Sequence, residues 1–128
     1  MKHARIIRFV LLLQVSWLCA AGCGKNASQS APVPLPIEQL PAALEKAFTK
    51  SKPEAKELAN QVVAFLQAQD YTKAYTGLQN LLGKAGLTKE QINVTTRGSL
   101  TVTTLLQSAQ ASGDSKAADA LKAYRLNK

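Results

Sequence analysis

Histidine occurs once in the 128 residues, at position 3, and cysteine twice, at positions 19 and 23. Beyond Cys23 the chain therefore has no imidazole for base catalysis or metal binding and no thiolate nucleophile. Disulfides are excluded from the same stretch, so a fold there must rest on its core. Acidic residues are few, eight in all, and dispersed. Glu54 and Glu57, a near pair, read as charge at the start of a helix rather than as an acid/base couple. Serine and threonine are plentiful but have no base beside them, and Gly83, Gly86 and Gly98 sit at helix ends or a kink rather than in a phosphate-binding loop. These absences point to a protein that is not an enzyme and needs neither cofactor nor metal.

Long apolar runs are also missing. Phe9 to Leu18 is the longest candidate, and it falls short of the roughly 20 residues a membrane-crossing helix requires. Preceded by Lys2, Arg5 and Arg8 and followed by small residues, it has the three-part layout of a secretory signal. Removing that signal leaves 13 of the 16 basic residues against 8 acidic ones, a net charge of +5 where the whole chain has +8. The charge is scattered rather than clustered with aromatic or groove-reading elements, which argues against nucleic acid as a partner. It suits a solvated surface with some affinity for anionic lipid headgroups or cell-wall polymers.

The signal ends in Leu18-Cys19-Ala20-Ala21-Gly22-Cys23. This stretch resembles the lipobox of bacterial lipoproteins, with Ala20 where that family most often has leucine. The resemblance implies a diacylglyceryl group on the Cys23 thiol, cleavage before Cys23, and acylation of the new amine. Two or more acyl chains hold a protein stably on a membrane where one does not. Gly24, in place of the aspartate that serves the family as a retention signal in some bacteria, implies the outer membrane if the cell has one. The plainer alternative is an ordinary cleavage site with Cys23 as a bystander.

The expected division is a signal over residues 1–22, a lipidated Cys23 with a flexible linker through Pro36, and a helical domain over residues 37–128. Gly24 to Pro36, with Pro32, Pro34 and Pro36 among Ser, Asn and Gln, favours extended conformations spanning up to roughly 40 Å. The domain has enough residues for one modest core.

Helical periodicity predicts an all-α domain, a small bundle of four or five antiparallel helices arranged as αα-hairpins. A first helix runs from about Pro41 to Lys50 and stops before Pro53. A second starts at Pro53 with a stripe through Ala55, Leu58, Ala59, Val62, Phe65, Leu66 and Gln69. Asp70 reads as the N-cap of a third helix carrying Tyr71, Ala74, Tyr75, Leu78 and Leu81, with Gly86 as its C′ residue. Thr88 to Gln91 forms a capping box, with Leu87 and Ile92 as the hydrophobic staple. The continuation through Ile92 to Thr104 is rich in β-branched residues around Gly98 and admits a hairpin. The strong cap, and the lack of any sheet for a lone hairpin to join, favour a helix weakened or kinked near Gly98. Asp114 caps a last helix from about Ser115 to Leu126, with a stripe through Ala117, Ala118, Leu121 and Tyr124.

Asp70 with Ala74 and Asp114 with Ala118 lie 44 residues apart. Ala64, Asp70, Tyr71, Ala74 and Leu78 resemble the core of tetratricopeptide-type helix-turn-helix units, although that family repeats at about 34 residues and Lys122 replaces the counterpart of Leu78. We read this as a shared packing solution. Tyr71 and Tyr75 are the candidate partner-binding residues, in a groove gripping a segment of another envelope protein; the alternative is that both rings finish the core. The functional expectation is a lipid-anchored, non-enzymatic binding or scaffolding module at the cell envelope. An alternative of another class comes from the tail, Tyr124 to Lys128, which resembles the basic end of the major envelope lipoproteins of enteric bacteria. That resemblance implies a structural tether joined to peptidoglycan through Lys128.

Overall fold

The computed structural model describes residues 30–126. The signal, Cys23, the first part of the linker and Lys128 lie outside them. Among the described residues there are five helices and no strand: α1 (Leu40–Phe48), α2 (Pro53–Gln67), α3 (Tyr71–Leu82), α4 (Lys89–Ala111) and α5 (Ser115–Leu126).

Pro41 lies in the first turn of α1, where its missing N–H costs no hydrogen bond, and Pro53 begins α2 in the same way. Only three residues separate α2 from α3, and three separate α4 from α5. The two turns share one geometry. Asp70 N–H donates to the Phe65 carbonyl at 2.9 Å and Gln69 N–H to Leu66 at 3.1 Å; Asp114 N–H donates to Ala109 at 3.0 Å and Gly113 N–H to Gln110 at 3.0 Å. These are paired C-terminal closures in which the residue after the cap turns left-handed, and Gln69 (φ 58°) and Gly113 (φ 94°) do so. Each turn is followed at once by an aspartate cap, with Asp70 Oδ1 accepting from Lys73 N–H at 3.2 Å and Asp114 Oδ1 from Lys116 N–H at 2.9 Å. The 44-residue echo is thus a repeated turn. Its correspondence to a repeat core is incomplete, since Ala74 and Leu78 are buried while Ala64 is exposed.

The Thr88 capping box forms in both directions: Thr88 Oγ1 accepts from Gln91 N–H at 3.2 Å, and Gln91 Oε1 accepts from Thr88 N–H at 2.9 Å. From it α4 runs uninterrupted to Ala111, so the hairpin alternative is excluded. Threonine tolerates this helix because its hydroxyl can bond one turn back, as Thr95 Oγ1 does to the Gln91 carbonyl at 2.7 Å.

Gly98 is buried, and what selects it is close approach. A Cβ there would sit 2.7 Å from Leu40 Cδ1. Gly77 plays the same part between α2 and α3, where a Cβ would meet Val62 Cγ2 at 2.6 Å. Around these contacts one core gathers Leu40, Leu44 and Phe48 from α1 with Val62 and Leu66, Ala74 and Leu78, Val102 and Leu106, and Leu121 from the other helices.

Four sequence expectations are corrected. α3 ends at Leu82, short of Gly86, which lies in the connection to α4. Gln69 forms the turn rather than extending the α2 stripe. Phe65 is only partly buried, while Val63 takes a core position. The compact unit begins at Pro32 rather than Ile37. In that last case Leu35 enters the core, Arg97 Nε donates to the Val33 carbonyl at 2.7 Å, and Thr101 Oγ1 donates to the Leu35 carbonyl at 2.5 Å. Residues 32–36 are therefore a strap bound to α4.

Candidate functional site

The outward side of α3 carries Thr72, Thr76 and Asn80 at helical spacing, in positions the core does not use. Two clefts meet along this ridge. The first, between α3 and α5, encloses about 350 Å³ and adds Tyr75, Gln79 and Tyr124. The second, between α2 and α3, encloses about 260 Å³, with Leu58 and Phe65 on its α2 side and Gly77 on the helix that supports it. Gly77 brings α2 close to α3 and so sets the depth of the second cleft.

Tyr75 is 4% exposed, and its ring meets that of Tyr124 edge to face, with centroids 5.6 Å apart and planes at 82°. Burial, reinforced by Tyr124 and opposed by a hydrogen bond with Thr103, pushes the Tyr75 hydroxyl up to about 12. It remains a neutral phenol at any physiological pH. Tyr71, one turn earlier, is partly buried and packs against the core. Of the two tyrosines singled out in the sequence, then, Tyr75 lines a cleft as well as finishing the core. Sequence reasoning missed Tyr124 as its cleft partner; the only available signal was its place on the α5 stripe.

Lys73 is the one charged residue lining either cleft. Its ammonium lies 3.0 Å from Asp70 Oδ2 and 5.7 Å above the Phe65 ring. The Lys73 partnership, through side-chain and backbone hydrogen bonds, holds the Asp70 carboxyl below its usual range. Glu54 is held low in the same way by its hydrogen-bonded ion pair with Lys84, which ties the start of α2 to the connection after α3. Glu57 instead accepts from Gln61 Nε2 at 3.4 Å, so Glu54 and Glu57 serve different partners. The clefts offer hydroxyls, amides, aromatic edges and one cation. Such groups hold a segment by hydrogen bonds and apolar contact; none of them is a base or nucleophile activated by a neighbour.

Among the described residues no three His, Cys, Asp or Glu side chains are grouped as metal ligands, and no helix is long and apolar enough to cross a membrane. Comparison with protein-family models, with curated proteins and with solved structures finds no match.

Proposed function

We propose that the chain is an exported protein, acylated at Cys23, whose small helical bundle binds or scaffolds a partner at the bacterial envelope without catalysis. Cys23, behind a basic start and a short apolar run, supports the location. The observation that carries the binding role is the α3 ridge of Thr72, Thr76 and Asn80 between two clefts, since it leaves neutral hydrogen-bonding groups and aromatic edges uncovered by the fold. Such a surface suits an extended or helical segment of another envelope protein, with Tyr124, braced by the buried Tyr75 ring, as the rigid wall against which it packs. The outer membrane is the expected site in a cell that has one, because Gly24 follows the cysteine.

The anchor is tested by Cys23→Ser, since an oxygen cannot form the thioether. The substituted protein is expected to leave the detergent phase and to lose label from a fatty-acid analogue; labelling that persists on the Cys23→Ser chain would sink the anchor. The binding role is tested by recovery from solubilised membranes. A partner retained by the native chain should be lost from Thr76→Arg, which places a long cation on the exposed ridge that both clefts share. An unchanged set of co-purifying proteins would refute binding at this ridge.

A further inference from the structure

The strap and the outward side of α4 together define a second surface. Val33 and Leu35 are held on the middle of α4 through Arg97 and Thr101, partners 64 and 66 residues away in sequence. The chain leading back to Cys23 therefore leaves the domain beside α4. At this place the fold exposes three large apolar side chains: Val33 is 67% exposed, Ile92 46% and Leu100 37%. Ile92 and Leu100 are two helical turns apart on α4, and Arg97, whose guanidinium holds the strap, lies one turn from Leu100.

Charge is as distinctive as apolarity here. From Ile92 to the end of α4 at Ala111 there is no acidic residue, and Arg97 is the only charged one. At the start of the helix Lys89 and Glu90 offset each other, so the net charge of this side comes from Arg97. The other polar groups here are neutral, and the Thr104 hydroxyl already donates to the Leu100 carbonyl at 3.0 Å, so it needs no water when solvent is displaced. An anionic, partly apolar boundary would accept this side, whereas an acidic side would be repelled.

Chain length brings that boundary near. Nine residues separate Cys23 from Val33. In a polyproline-like conformation, at about 3.1 Å per residue, the ten steps from Cys23 to Val33 span roughly 31 Å, less than the whole spacer would give. We propose that the outward side of α4, with Val33, is turned toward the phospholipid surface and rests Ile92 and Leu100 in its headgroup region. α4 packs on α3, so this orientation leaves the α3 ridge facing away from the bilayer and open to a partner. The inference rests on the reading that Cys23 is acylated.

The test uses the mature, acylated chain in vesicles of phosphatidylethanolamine with a minority of phosphatidylglycerol. An environment-sensitive fluorophore is placed singly at Ile92→Cys, Leu100→Cys or, as a control on α2, Asn60→Cys; all three positions are exposed. Lipids brominated near the top of the acyl chain are expected to quench the labels at 92 and 100 roughly twofold or more over the label at 60, because an amphipathic face enters the boundary by about 5–10 Å. Equal quenching at the three positions, in protein that still floats with the vesicles, overturns the orientation and leaves the anchor standing. Protein that does not float overturns the anchor, and the orientation with it. Proximity between labels on separate copies, without lipid quenching, would assign the surface to a second copy and also overturn the proposal.

Discussion

Two phenylalanines show how much a single residue's role depends on which edge of a helical stripe it occupies. Phe48 ends α1 and is 1% exposed within the core, whereas Phe65 sits at the rim of the α2/α3 cleft under the Lys73 ammonium. Phe48→Ala is expected to cost about 3–5 kcal/mol in urea unfolding, and Phe65→Ala distinctly less, since much of the latter ring's surface is already in water. Equal losses would show that the cation and the cleft rim stabilise the fold as strongly as the core does. The α2 stripe in the sequence includes both Phe65 and Leu66 and does not say which lies at its centre, because the width of an apolar stripe is set by the helices packed against it. Gly98 was legible only as a place where a helix former is missing. Its reason, a contact with Leu40 58 residues away, has no local signature.

At the scale of elements, the turns and caps carry most of what local chemistry dictates. The α2–α3 and α4–α5 turns have one hydrogen-bond pattern but different residues at the left-handed position, Gln69 in the first and Gly113 in the second. A left-handed non-glycine residue is strained, and the strain exceeds the entropy lost in ordering a glycine, so Gln69→Gly should stabilise the domain by roughly 0.5–1 kcal/mol. The reverse change, Gly113→Gln, should destabilise it. Midpoints of thermal unfolding for the two variants, moving in opposite directions, would establish the equivalence of the turns. Asp70, Asp114 and the Thr88 capping box were all readable, since their partners lie within three residues. The buried Gln91 was readable only in part. Its role in the box is local, but its Nε2 also donates to the Ala47 carbonyl at 3.1 Å and to Ser51 Oγ at 2.6 Å, joining α4 to the end of α1. Nothing near Gln91 in the sequence announces those bonds.

For the molecule as a whole, Tyr75 and Tyr124 join α3 to α5 beneath the first cleft, and the Tyr75 hydroxyl links their packing to pH. Its folded-state value, about 12, lies above the ordinary 10.0, so the unfolded chain releases this proton first. The stability it contributes is fully present below pH 10 and is lost as pH rises from there through about 12. Denaturant midpoints should therefore fall across that window, and Tyr75→Phe should make the fall shallower. A Tyr75→Phe chain with the same alkaline slope as the native one would show that this hydroxyl is not linked to folding. Only the spacing of Tyr75 along its helix was visible beforehand. Its edge-to-face partner required α5 to be folded back beside α3.

The sequence by itself determined the helical class, the N-terminal caps at Asp70, Thr88 and Asp114, and the absence of imidazole and thiol beyond Cys23. Those properties follow from side-chain chemistry and from spacings of three or four residues, which the backbone reads without help from the rest of the chain. Tertiary structure decided which helical faces meet, why Gly77 and Gly98 stand where they do, that Tyr75 shares a cleft with Tyr124, and that residues 32–36 belong to the folded unit. The strap is the clearest case. Its prolines favour extension wherever they occur, but Leu35 finds a core, and the Val33 and Leu35 carbonyls find donors, only once α4 presents Arg97 and Thr101 on one side. Composition describes a segment's own preferences; burial and hydrogen bonding across more than sixty residues depend on a surface that exists only after the other helices have packed.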